Sequence, residues 1–435
     1  MTVMPKFVHE IRDPIHAFIK LTSQERKVLD SRPLQRLRHI HQLAHTYLVY
    51  PGATHRRFEH SLGVMELATR VFDVVTDIHN TSESVRKSLE ELSDLDQLRY
   101  WRMVLRMAAL CHDIGHLPFS HAAESGLLPE GWNHETIARL IIESSEMQDI
   151  WDEFKPPLKA SDIAMLAVGP EKVEKNDFGY WQSILAGIIT GDALGVDRMD
   201  YLLRDSRHAG VEYGRFDHSR LIDTLRILLS PNSDGPALGL QEGGLHSAEA
   251  LMLARYFMFS QVYCHPVRRI YDIHLMDFLK EWLPGGKFPE DIQELLALTD
   301  NEVNAAILDA ARDEGSKFHK CSRRMFNREH FRLVHKTKPS DMERSSEAGE
   351  DLFCTLCEEF GEDNFKRDIY VQKGNTQDFP VELRNGEVVS SLSQSVHLNR
   401  IPAVAFDNVF ADSSVYDDAV AWLKANREQT ISQTG

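Results

Sequence analysis

Between Met107 and His121 the chain reads Met-Ala-Ala-Leu-Cys-His-Asp-Ile-Gly-His-Leu-Pro-Phe-Ser-His, which puts His112, Asp113, His116 and His121 within ten residues. Adjacent His and Asp can offer an imidazole nitrogen and a carboxylate oxygen to one metal ion. The apolar run Val104–Cys111 in front of them predicts a buried helix that delivers the pair at its end. His112 and His116 are four apart and share a face if the helix runs on. Pro118 then breaks the helix and turns His121 back toward that face.

A His-Asp dipeptide alone says little. With 21 His and 33 Asp in 435 residues, one or two such pairs arise by chance. Its companions in the chain give it weight. Arg57-Phe-Glu-His60-Ser61 sets a histidine at the start of an amphipathic segment, where a polar residue can face inward. Asp197-Arg-Met-Asp200-Tyr201 follows an apolar helix and places two carboxylates three apart on one helical face. Taken singly, each reads more simply as a capped helix or a surface ion pair. Together, two neutral imidazoles and two carboxylates make a borderline-hard site suited to Mn, Fe, Zn or Mg, with positions open to water.

Helices must position these groups. Apolar spacing predicts helices from about Phe58 to Ile78, from His134 to Ser144, over Gly179–Gly191 and through 246–283, with Thr22–Leu43 helical up to a break at Pro33. Residues 80–100 read as a polar surface cover and 230–244 as a Pro/Gly/Ser loop. Past 315 the texture changes. Ile369–Val371 and Val404–Phe406 read as strands, Asn385-Gly386 as a hairpin turn between Val381–Leu383 and Val388–Val389, and Asp417–Asn426 as a last helix. The expected fold is mainly α: a helical core over 1–315, followed by a smaller α+β region over 316–435 that packs on it and serves subunit interfaces.

Composition bounds the function classes. Hydrophobic content of 42% and charged content of 26% fit a globular protein. No stretch approaches a membrane span, and the first ten residues are unlike a secretory signal. Five cysteines argue against a disulfide framework and for the cytoplasm; Cys354 and Cys357, the one C-x-x-C, read as structural rather than as a zinc site. A net charge of −17 argues against tight binding to duplex DNA but is compatible with a small phosphorylated substrate held by arginines and a metal.

The order His60, His112-Asp113, Asp197 resembles the metal signature of the HD-domain phosphohydrolases. Asp13-Pro-Ile-His16, Gln35-Arg-Leu-Arg38, Gln42-Leu43, Tyr50-Pro-Gly-Ala53, Arg57-Phe-Glu-His60-Ser-Leu-Gly63, His112-Asp-Ile-Gly-His116, Pro118-Phe-Ser-His121, His134-Glu135 and Asp197-Arg-Met-Asp-Tyr201 narrow the likeness. They are similar to the SAM-and-HD-domain dNTP triphosphohydrolases and bacterial dGTPases over roughly residues 5–275. The sterile-alpha-motif domain is absent from this reading.

The resemblance implies one divalent metal ion per site, held by His60, His112, Asp113 and Asp197, and hydrolysis of a dNTP to a deoxynucleoside and triphosphate. His116, His121 and His134 would surround the α-phosphate. His121 would protonate the leaving 5′ oxygen, with Glu124 orienting it. Arg57 would clamp phosphate, and Arg198 with Arg268 or Arg269 would meet the outer phosphates. Gln42, Leu43, Tyr201 and Asp205 would hold the sugar side, and Tyr271 would stack beside it. Asp30, Gln35 and Arg38 match part of a guanine-nucleotide effector site, and the family forms dimers or tetramers, so a nucleotide effector and a homo-oligomer are expected.

Departures are visible too. Arg198 stands where animal members have lysine, Ala44-His45 where glycine commonly follows Gln-Leu, Tyr263 where some members carry a phosphate-binding arginine, and His9 where the effector site expects lysine. The rival functions are an HD phosphohydrolase of another nucleotide, a nuclease acting on single-strand 3′ ends, and a non-enzymatic nucleotide sensor. The net acidic charge weighs against the nuclease, and the full set of histidines weighs against the sensor.

Overall fold

The structure, a computed structural model, describes residues 7–124, 126–169, 179–229, 235–342, 345, 347–372 and 378–432. Helices dominate it, as expected of a mainly α chain. The chain forms two compact units: Met1–Met258 with Pro289–Asp300 and Thr376–Ile401, and Phe259–Phe288 with Asn301–Asn375 and Pro402–Gly435. The two units are interleaved along the chain, because short returning segments complete each of them.

In the first unit, the helix Arg57–Val75 packs on the helix Leu95–Cys111, and Ala160–Val168 packs on both Leu95–Cys111 and His134–Ile142. Val104, Leu105 and Met107 through Cys111 are buried almost completely, so the apolar run is a core helix. Asp94 caps its start by accepting from the Asp96 and Gln97 amides. Val196–Ala209 lies against Arg57–Val75 and brings its acidic first turns inward.

The core helix ends at Cys111, earlier than the sequence suggests. His112 to Gly115 form a tight turn, in which the Ile114 amide donates to the Cys111 carbonyl and the His116 amide to the Asp113 carbonyl. His112 and His116 consequently do not share a helix face, and Pro118 is not the breaker. The turn brings Gly115 against the helix His134–Ile142: a Cβ there would stand 2.0 Å from the His134 carbonyl oxygen. Only glycine permits that approach.

The stretch expected as a loop near 230–244 contains the strand Pro236–Gln241. It pairs antiparallel with Leu225–Leu229 and parallel with Pro380–Glu382, which forms a hairpin with Val388–Ser390. Gly386 takes the positive φ of 83° that the hairpin turn demands. The hairpin belongs to the first unit, not to a separate C-terminal region. Distant strands complete this sheet, and the local composition of 230–244 does not announce them. At the other end of the chain, His9–Asp13 and Ala17–Leu21 form a two-stranded hairpin.

In the second unit, Arg332–Lys336, Ala405–Ala411 and Phe365–Val371 form an antiparallel sheet with Ala405–Ala411 at its centre. The helices Ala348–Phe360 and Tyr416–Ser432 cover it, Leu352, Leu356, Ala419 and Leu423 forming one core cluster with Val409 of the central strand. Two elements seen in the sequence, Ile369–Val371 and Asp417–Asn426, lie inside the longer strand and helix found here. Among the described residues no helix is long and apolar enough to cross a membrane.

Candidate metal centre

His60 sits one turn into the helix Arg57–Val75, His112 caps the end of the core helix, Asp113 follows it, and Asp197 lies in the first turn of Val196–Ala209. Three elements thus converge. The Nε2 atom of His60 lies 3.0 Å from Asp197 Oδ1 and 3.6 Å from Asp113 Oδ2. His112 Nε2 lies 3.4 Å from Asp113 Oδ1 and 3.6 Å from Asp197 Oδ1. Separations of this size suit donors that share one ion at roughly 2.0–2.2 Å. Among the described residues, His60, His112 and Asp113 are the group with metal-holding geometry.

The hydrogen bonds fix the tautomers. His112 Nδ1 lies 2.8 Å from the Ala109 carbonyl and must donate to it, which leaves a lone pair on the buried Nε2, and that atom has no hydrogen-bond partner. His60 Nδ1 donates to Asp200 Oδ2 at 2.8 Å, and its Nε2, 3.0 Å from Asp197 Oδ1, needs a proton or a metal ion to meet that carboxylate. Acceptors confronting acceptors require a cation between them. The same demand acts on His60 itself: burial disfavours its charge, yet hydrogen bonds to Asp197 and Asp200 hold its imidazole up to about 10. The donor set therefore fits a divalent ion. Asp197, with 35% side-chain exposure against 9% for Asp113, marks the open side.

Behind the ligands stands Asp200, fully buried. It accepts from His60 Nδ1, from His16 Nε2 at 2.6 Å, and from Arg204 Nε and Nη2 at 2.8 and 3.0 Å. Arg204 also donates to Asp13 at 2.8 Å, which ties the Asp13-Pro-Ile-His16 turn to the centre. Gly63 makes room for this, since a Cβ there would stand 1.9 Å from Asp200 Oδ1. The sequence signals Asp200 by its i, i+3 relation to Asp197. It gives no sign that His16 or Arg204 reaches the same carboxylate.

The expected catalytic residues are placed as follows. His116 Nε2 lies 3.0 Å from Asp113 Oδ1, and its ring stacks on His134 with centroids 4.2 Å apart. His134 Nδ1 and its amide both donate to Glu124, at 2.9 and 3.0 Å. Glu124 thus orients His134; the side chain of His121, its expected partner, lies outside the described residues. Arg57 directs its guanidinium at Asp113 and, through Nε at 2.7 Å, at Ser120 Oγ. Burial would raise the Asp113 carboxyl, but Arg57, His112 and His116 hold it well below the usual carboxylate range.

Of the expected substrate residues in the first unit, Gln42 keeps a buried Oε1 with no partner among the described residues, and Leu43 is buried beside it. Arg198 donates to Asp192 at 3.0 Å. Burial pushes the Tyr201 phenol up, so it stays a neutral hydroxyl. Asp205 accepts from buried His55 Nε2 at 2.7 Å, and His55 stacks on His208. Gln35 and Arg38 meet through a 2.8 Å bond, whereas Asp30 pairs with Arg26 on the surface.

Arg268, Arg269 and Tyr271 belong to the second unit. Arg269 forms a two-pronged ion pair with Asp368 at 2.8 and 2.7 Å, Arg268 lies 3.3 Å from Asp272, and the Tyr271 hydroxyl lies 3.1 Å from His330 Nδ1. The fork of Arg269, expected on an outer phosphate, is thus engaged by a carboxylate.

Comparison with known proteins agrees with this geometry. The HD domain family matches residues 57–167, and the HD associated region matches 216–378. The chain belongs to the HD-domain family, and the HD associated region follows the HD domain in the sequence. A solved structure of a hypothetical protein from Aquifex aeolicus is 30% identical, with a TM-score of 0.77 over 95% of this chain and 99% of that one. Deoxynucleoside triphosphate triphosphohydrolase SAMHD1 of Gallus gallus is 28% identical over 408 residues, 86% of this chain and 63% of that protein. An uncharacterized protein from Methanocaldococcus jannaschii is 38% identical over 60% of this chain and 47% of its own length. The chain spans about half to two thirds of the curated relatives it matches.

Proposed function

We propose that the protein is a metal-dependent deoxynucleoside triphosphate triphosphohydrolase, converting a dNTP and water to a deoxynucleoside and triphosphate. The observation that carries this reading is the convergence of His60, His112, Asp113 and Asp197 with the Nε2 atoms of both imidazoles turned toward the carboxylates. The likeness to triphosphohydrolases of vertebrates supports the substrate class.

A divalent ion such as Mn, Fe, Mg or Zn supplies Lewis acidity at a phosphoryl oxygen. The chain's own groups do the rest. Arg57 holds Asp113 in place as a ligand. His116 and His134, stacked on each other and backed by Glu124, stand beside the α-phosphate. His121 is the proposed proton donor to the leaving 5′ oxygen, because imidazole titrates near neutrality. Tyr201 and Gln42 face the sugar, and Arg198 meets an outer phosphate. Homo-oligomer formation, with residues 316–435 at subunit interfaces, and a nucleotide effector near Gln35 and Arg38 complete the proposal.

The test is to incubate the metal-loaded protein with each dNTP, each NTP and a labelled single strand, and to identify the products. Triphosphate and deoxynucleoside are expected; pyrophosphate, mononucleotides or no turnover would sink the reading. His121→Ala should keep its metal and lose roughly 10²–10⁴-fold in rate. Full activity in that variant would remove His121 from the reaction.

A further inference from the structure

Residues Pro289–Asp300 belong to the HD-bearing unit, although the stretches on either side of them do not. They grip the loop that follows the ligand pair. Buried Arg36 joins two carbonyls, donating Nη1 to His116 at 2.8 Å and Nε to Leu298 at 3.0 Å. Asp300, 1% exposed, accepts from the Phe119 amide at 2.7 Å, the His41 amide at 2.8 Å and His41 Nδ1 at 2.6 Å.

The backbone held in this way is strained. Phe119 and Ser120 take successive φ values of 59° and 58°, the left-handed region that side chains disfavour. Such a conformation persists only where its surroundings over-determine it. Ser120 Oγ accepts from Arg57 Nε and donates to the His41 carbonyl at 3.3 Å, and Arg57 in turn holds Asp113. One buried carboxylate is therefore linked through Ser120 and Arg57 to a metal ligand. It also fixes the residue next to Gln42.

We propose that Asp300 is a positioning residue: it clasps the Phe119–Ser120 turn and so sets where the loop from His116 to His121 stands relative to the ligand pair. This rests on the reading above that the loop serves phosphoryl chemistry. Asp300→Asn keeps the shape but turns an amide NH2 toward hydrogen-bond donors.

The experiment measures three things on the full chain: Mn stoichiometry, kcat and KM for a dNTP, and amide hydrogen exchange in peptides covering 116–121. Asp300→Asn should bind Mn at the wild-type stoichiometry and leave KM within about threefold. It should lose roughly 10–100-fold in kcat, the scale of a small misplacement. Exchange should accelerate in 116–121 and not in 57–75. Arg32→Ala, which removes an exposed contact of the same segment to Gln293, should leave all three unchanged. If Asp300→Asn fails to fold, Arg36→Lys, which can reach only one of the two carbonyls, takes the same readouts. Unchanged exchange in the loop overturns the clasp, as does faster exchange with an unchanged kcat. If the wild type turns over no dNTP, the functional reading fails and loop exchange alone decides the clasp.

Discussion

Replacing Asp200 by asparagine tests whether the buried carboxylate behind His60 prepares it as a ligand. Asp200 Oδ2 receives His60 Nδ1 and Arg204 Nε, and Oδ1 receives His16 Nε2 and Arg204 Nη2. An asparagine amide has one acceptor oxygen, so whichever way it turns its NH2 confronts two of these donors. If NH2 takes the Oδ2 place, His60 can accept from it only by moving its own proton to Nε2, which removes the lone pair aimed at Asp113 and Asp197. Groups that orient metal-bound imidazoles are worth about 10–100-fold in metal affinity, or roughly 1.4–2.7 kcal/mol. The mismatched buried donors add a folding cost of about 1–3 kcal/mol. Competition with a chelator measures Mn affinity, and urea unfolding in excess chelator measures the folding cost separately. An Mn affinity within about twofold of wild type (~0.4 kcal/mol), alongside a full stability loss, would refute the claim that Asp200 acts through His60.

Further outcomes follow from other buried groups. Arg106, 2% exposed, donates to Glu25 at 2.5 and 3.1 Å, so Arg106→Met should strand a buried carboxylate and cost about 3–5 kcal/mol in urea unfolding, with metal binding retained. A loss below about 1 kcal/mol would mean that Glu25 finds another partner. His274 is fully buried and accepts from the Phe331 amide through Nε2; burial, with Arg324, Lys366 and His330 nearby, depresses its imidazole well below the usual value. The unfolded chain then binds more protons than the folded one below about pH 6.5, so this contribution is present above that pH and lost as pH falls, at up to about 1.4 kcal/mol per unit. His274→Gln should flatten the slope of unfolding free energy between pH 6.5 and 5; an unchanged slope would assign the acid sensitivity elsewhere.

The convergence of His60, His112, Asp113 and Asp197 was legible because each sits in a local pattern that marks an inward-facing polar residue. His60 starts an amphipathic helix, His112-Asp113 ends an apolar one, and Asp197 with Asp200 repeats at helical spacing. The end of the core helix was not legible, because what stops it is the close approach of Gly115 to a helix about twenty residues further on. Asp300, 181 residues from Phe119, carries no local sign of the loop it holds. The strand Pro236–Gln241 and the hairpin at Gly386 belong to one sheet through a parallel pairing of Leu240 with Val381, a contact that no periodicity encodes. The partners of Asp205 and Arg269 were not legible either: His55 and Asp368, which they meet, lie 150 and 99 residues away in the chain.

The proposed reaction turns on which bond breaks. Turnover of dGTP by the Mn-loaded protein in water labelled with heavy oxygen, followed by mass spectrometry of the products, reads it directly. If water attacks the α-phosphorus and the 5′ oxygen leaves, the label appears once in triphosphate and the deoxynucleoside carries none. Label in a deoxynucleoside monophosphate, or in inorganic phosphate released beside a diphosphate, would contradict the account.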